Sequence, residues 1–126
     1  MPISAPRARR DDGDEDLAGK DSDMTEYEIY AIRYGVNPRR VRGQNFILEA
    51  APDEPLQLDF YSWVLMGGPK PIVIDTGMNA VKAAKHGHDI VLDTIEGLRM
   101  LGVDPEAVET VIMTHLHYDH TGNTEA

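Results

Sequence analysis

Thr114-His115-Leu116-His117-Tyr118-Asp119-His120-Thr121-Gly122-Asn123 is the stretch whose reading decides the fold. Three of the five His in the chain, with one Asp, fall between His115 and His120. The run before it, Thr110-Val111-Ile112-Met113-Thr114, is short and apolar and reads as a buried strand whose end delivers His115. His115 and His117 stand two apart, so on a strand end they point to the same side and reach one metal together. The chain must then turn, and Asp119 and His120 project from the turn toward a neighbouring position. Gly122 suits a tight turn there, and Thr121 or Asn123 suits the cap of a following helix. One short segment can thus hold two metal ions side by side. The plainer alternative is a His-rich surface turn; a buried strand before the cluster and a Gly after it weigh against that alternative. Imidazole and carboxylate donors without thiolate suit Zn²⁺ and leave Fe, Mn or Co open. The chain has no Cys, which excludes a disulfide framework and any thiolate metal site.

Working back from the motif, Asp104-Pro105-Glu106 reads as an N-cap, a Pro at the first helical position and an acid in the first turn, so a short helix follows it. Val91, Ile95, Leu98 and Leu101 or Gly102 fall at helical spacing, and Gly102 is a stop signal. Pro71-Ile72-Val73-Ile74-Asp75 reads as a short buried strand. Leu56 to Met66, rich in β-formers, reads as a longer one. Gly67-Gly68-Pro69 turns between them, so residues 56–75 form a hairpin. Tyr27 to Ile32 alternates as a strand does. Asn37 to Asn45 is a polar loop in which Arg39, Arg40 and Arg42 are solvated. His86 and His88 form a second H-x-H pair, read as part of a solvated loop. Tyr61 and Trp63 read as strand packing, and Met66, Met78, Met100 and Met113 as apolar filler.

His-x-His-x-Asp-His at 115–120 resembles the signature of the metallo-β-lactamase fold superfamily. Ile72-Val73-Ile74-Asp75-Thr76-Gly77 is similar to the apolar strand ending in D-T-G that precedes the motif in those proteins. Within the superfamily, Thr114 to Asn123 is most similar to the N-acyl homoserine lactonases, the quorum-quenching enzymes. Tyr30-Ala31-Ile32-Arg33-Tyr34 and Tyr61-x-Trp63-Val64-Leu65 resemble the same group. The resemblance implies an α/β fold, the N-terminal half of an αββα sandwich. It implies two Zn²⁺ ions, the first held by His115 and His117, the second by Asp119 and His120. Asp75 would orient ligands by hydrogen bonds; on its residue type alone it is equally a strand-end turn residue. The implied reaction opens the lactone ring of a small-molecule substrate through a zinc-bound hydroxide, and Asp119, as catalytic residue, passes a proton to the leaving alkoxide. A thioester hydrolase of the glyoxalase II type shares the motif and is the alternative enzyme. A truncated, non-catalytic binding module is the alternative of a different class.

In the family a third His for the first metal, a bridging Asp and a further His follow the motif, whereas here the chain stops at Ala126. A catalytic zinc ordinarily has three protein ligands and a water. With two ligands per metal, the expectation is a partial domain over residues 25–126 that binds metal weakly and does not turn over. Residues 1–24 are expected to be a disordered acidic tail. They hold four basic and seven acidic side chains and few large apolar ones, too few to offset the entropy of ordering.

The whole chain carries a net charge of −10, and −7 once the tail's −3 is set aside. That balance disfavours nucleic acid and anionic membrane surfaces as partners. No apolar run approaches the ~18 residues that span a bilayer. The N-terminus has no apolar core of a secretory signal, so a cytoplasmic protein is expected.

Overall fold

The computed structural model describes residues 24–125, so the expected tail, Met24 apart, lies outside the described residues. The chain lays down strands β1 (Glu28–Asn37), β2 (Leu58–Met66) and β3 (Ile72–Ile74), helix α1 (Ala80–His86), strand β4 (Asp89–Ile90), helix α2 (Thr94–Met100) and strand β5 (Thr110–Ile112). The strands form one sheet in the order β4-β1-β2-β3-β5. The hairpin expected over residues 56–75 is present: β2 and β3 pair antiparallel, Trp63 opposite Ile74 and Leu65 opposite Ile72. β5 lies parallel to β3, with Ile74 opposite Ile112, so the segment between them crosses over the sheet and carries both helices.

Strand β1 is longer than Tyr27 to Ile32. It runs on to Asn37 and pairs with β2 along its length, with a break in register between Arg33 and Gly35. Strict alternation would bury every second residue, but the irregularity brings Tyr34, Gly35 and Val36 inside in succession. Ile32, Tyr34, Phe60, Val64 and Val73 from the sheet meet Met78, Ala83, Leu98 and Val103 in the core. The helices therefore cover this face. The Asp93 carboxylate caps α2 by accepting from the N–H groups of Ile95 and Glu96, and Asp104 does the same for Glu106 in a single 3-10 turn, Pro105–Ala107.

On the opposite face the register sets Ala31, Trp63, Ile74 and Ile112 in one row and Ile29, Leu65 and Ile72 in the next. This face is open: Ile29 is 67% exposed, Trp63 40% and Ile112 45%. Tyr61 and Trp63 pack on each other, ring centroids 5.9 Å apart, rather than into a core. The expectation of a buried strand at 110–114 is corrected on two points. β5 stops at Ile112, and all three of its residues are exposed; among the described residues it is bonded only to β3. Met100 is also exposed rather than filler. α1 and β4 were not expected. The arginines of the 37–45 loop are not freely solvated: Arg39 is exposed but donates to the carbonyl of Gly87 at 2.6 Å, and Arg40 and Arg42 are partly buried, Arg42 pairing with Glu49 at 2.9 Å. No helix among the described residues is long and apolar enough to cross a membrane.

Candidate metal centre

The parallel ladder between β3 and β5 ends where Asp75 N–H donates to the carbonyl of Ile112, at 2.9 Å. There Asp75 enters the left-handed region at φ 59°, which Asp tolerates better than most residues, and its side chain takes over from the backbone. Oδ1 accepts from the Thr114 N–H at 2.8 Å, and Oδ2 accepts from the Thr114 hydroxyl at 2.7 Å. Oδ2 also meets Nδ1 of His120 at 2.7 Å. Asp75 is 3% exposed. Burial pushes its pKa up, but the hydrogen bonds from Thr114 and His120 together hold it below the usual carboxylate value.

Beyond the motif, residues 119–123 are zipped along residues 75–79. The Thr76 N–H and hydroxyl both donate to the carbonyl of His120, at 2.7 and 3.0 Å, and Gly122 N–H donates to the carbonyl of Gly77 at 2.7 Å. The Asn123 side chain donates to the carbonyl of Thr76 at 2.8 Å. Thr121 and Asn123 therefore cap no helix among the described residues; Asn123 bridges two loops instead. Gly122 is needed for close approach rather than for a special φ: a Cβ there would lie 2.3 Å from Cα of Met78. From β1 below, the buried Tyr34 hydroxyl donates to the carbonyl of Asp119 at 2.5 Å. Burial pushes the Tyr34 pKa far up, so the group stays a neutral donor.

Residues 115–120 thus sit on a loop and turn beyond β5, not on the strand itself. The turn is closed by His120 N–H donating to the carbonyl of His117, at 3.0 Å. Among the described residues, His115, Asp119 and His120 each offer a ligand atom, all within 4.8 Å of one another. His120 Nε2 lies 3.3 Å from Asp119 Oδ2. His117 is not one of the three; its ring stands edge-on to His115, centroids 4.6 Å apart. The structure therefore groups His115 with Asp119 and His120, where the resemblance groups it with His117. The donors are nitrogen and oxygen only, and Asp75 holds one nitrogen of His120 so that the other faces Asp119. This carboxylate–imidazole arrangement suits a borderline divalent ion such as zinc.

Tyr34 and Thr76 lie in segments that resemble the family, but the sequence reading gives neither a role at the site, since each reaches the turn only through the sheet. The pair His86 and His88 departs from the expected solvated loop. His86 ends α1 and is exposed, whereas His88 is partly buried against Phe60, ring centroids 4.8 Å apart. Neither joins the three donors.

Fold and centre together define an α/β domain that gathers imidazole and carboxylate donors on the turn beyond a parallel edge strand. The sequence pattern of the Metallo-beta-lactamase superfamily matches residues 58–126, more than half of the chain, and the chain belongs to that superfamily. It is 31% identical over 113 residues to the N-acyl homoserine lactonase AttM of Rhizobium johnstonii, and 32% identical over 113 residues to AttM of Rhizobium radiobacter. Each match covers 79% of this chain and 42% of the relative, so the chain spans less than half the length of these curated relatives. Among solved structures, a quorum-quenching N-acyl homoserine lactone lactonase matches with a TM-score of 0.61 at 24% identity, over 81% of this chain and 42% of that one. An N-acyl homoserine lactone hydrolase with N-hexanoyl-L-homoserine bound at its catalytic metal center matches with a TM-score of 0.57 at 21% identity, over 80% of this chain and 45% of that one. At these identities the solved structures show the shared fold.

Proposed function

We propose that this chain carries part of the metal centre of a hydrolase that opens the lactone ring of N-acyl homoserine lactones. The observation that carries the reading is the convergence of His115, Asp119 and His120, with Asp75 locking His120, in a superfamily chain whose curated relatives are lactonases. His115, His117, Asp119 and His120 would hold two zinc ions, His117 completing the set beside His115. When bound, zinc supplies Lewis acidity toward a carbonyl and makes water acidic near neutral pH. Asp75 and Thr114 fix the imidazole and backbone that carry the donors. Asp119, half-buried on the turn, passes a proton to the ring oxygen as the carbonyl carbon–oxygen bond of the lactone breaks and water adds to that carbon. The product is the ring-opened N-acyl homoserine.

We infer further that the 126-residue chain holds metal weakly and does not turn over, because the motif offers four ligands where two catalytic zinc ions take about three each from protein. Two experiments test these readings. A lactone and an acyl thioester are assayed side by side on the product of the full gene. Lactone opening that is lost in Asp119→Asn is expected, and thioester cleavage without lactone opening overturns the substrate class. Metal analysis of the 126-residue chain is expected to find little bound zinc after dialysis; two tightly held ions per chain would overturn the weak-binding reading.

A further inference from the structure

We propose that His88 is a positioning residue for the metal-binding turn and acts through the hydroxyl of Tyr118. The inference rests on reading that turn as a metal centre, and goes beyond it to a residue well upstream. Tyr118 lies between His117 and Asp119 in the chain but offers no ligand atom to the cluster. Its ring is fixed on two sides. The His86 imidazole stacks on it almost parallel, centroids 3.7 Å apart at 9°, and Nε2 of His88 shares a hydrogen bond with its hydroxyl at 2.8 Å.

His88 is itself held. Its backbone N–H donates to the carbonyl of Ala83 at 2.9 Å, and its ring lies against Phe60 of the core. Nδ1 is buried and has no partner among the described residues, so the bond to Tyr118 is the one hydrogen bond of that ring there. The segment from the end of α1 into β4 therefore grips the one motif residue between His117 and Asp119 that is not a donor. The rest of the turn is gripped elsewhere: Thr114 and His120 by Asp75, Asp119 by Tyr34. Without the His88 bond, nothing among the described side-chain hydrogen bonds fixes Tyr118. A metal centre tolerates little freedom in its donors, on the order of 0.5 Å. A tie on Tyr118 limits the freedom of both neighbours at once.

Cobalt(II) titration of the full 126-residue chain tests this, read by its visible absorption and by affinity, with apo thermal melts alongside. Tyr118→Phe removes one hydroxyl and keeps the ring; it is expected to weaken cobalt binding about tenfold. His88→Leu is expected to do the same, His88→Gln to recover most of the loss, and the double variant Tyr118→Phe/His88→Leu to be no worse than either single one. Multiplied effects in the double variant, or unchanged affinity in Tyr118→Phe, overturn the inference. His115→Ala separates the two readings. If it loses cobalt while Tyr118→Phe and both His88 variants keep it, only the positioning role falls. If it binds cobalt as the unsubstituted chain does, or if that chain takes up none even with the ion in large excess, the metal centre falls and the positioning role with it.

Discussion

Nδ1 of His120 and Oδ2 of Asp75 lie 2.7 Å apart, and the same carboxylate holds the N–H and hydroxyl of Thr114. Thr114 stands just before the first His of the motif and His120 is the last. One buried side chain thus clamps both ends of the candidate metal-binding segment and sets its span. Because Asp75 terminates β3, the clamp is referred to the sheet rather than to another loop.

Asp75→Asn keeps the size of the side chain but cannot accept at its amide nitrogen, so it cannot satisfy Thr114 and His120 together. Metal affinity is expected to fall about 10- to 100-fold, the usual effect of removing a partner behind a ligand. A competition titration with a zinc-responsive dye measures it; an unchanged dissociation constant would show that His120 is held by something else.

Tyr34→Phe deletes only the hydroxyl that donates to the carbonyl of Asp119. Losing a partly buried hydrogen bond is expected to cost about 1 kcal/mol of folding stability. A urea titration should show a lower midpoint at unchanged slope. Equal midpoints would mean that water replaces the hydroxyl at no cost.

How much of this was legible in the sequence varies with the kind of signal. The hairpin and α2 follow from patterns within a few residues, and they are present, although α2 starts at Thr94 behind an unforeseen Asp93 cap rather than at Val91, and the short helix expected after Asp104 is a single 3-10 turn. α1 lacks an apolar stripe, since only Ala83 is buried, so periodicity misses it. Its signals were Asn79 before a run of good helix formers and Gly87 after it, at φ 70°. β5 reads as buried because Val111 and Ile112 are apolar, but composition does not say whether a strand has neighbours on both sides. At the site, the donors stand together in the motif and are legible, whereas Tyr34, Thr76 and His88 meet the turn only through the sheet and the crossover. No local pattern announces such partners.

Gly122→Ala sets a methyl group 2.3 Å from Cα of Met78 and 2.5 Å from the carbonyl oxygen of Gly77. Both are backbone atoms and cannot rotate away, so the 119–123 strip must lift off the 75–79 strip. Destabilisation on the order of 1–3 kcal/mol is expected, as for overpacking elsewhere. The same variant should lose metal affinity, because Asp119 and His120 ride on that strip. Thermal melting and metal titration of one preparation check both; an unperturbed melting temperature would refute the contact.

The acid sensitivity of the fold should fall partly on His88. Burial lowers its pKa below the ordinary histidine value, and the neighbouring His86 and Arg40 lower it further, while Asp119 and Asp89 act the other way. With the folded value below the unfolded one, the unfolded chain binds more protons between the two. Stability therefore rises with pH across that window and is lost as pH falls below about 6.5. Protonation must also place a charge beside Phe60 and on a buried Nδ1 that has no partner among the described residues. His88→Gln cannot titrate and still reaches the Tyr118 hydroxyl. Metal-free chains of both sequences, melted from about pH 7.5 down to about 5.5, should diverge, the unsubstituted chain losing melting temperature faster. The other four His are common to both, so they cancel in the difference. Parallel curves would show that His88 is open enough to water to take its proton freely.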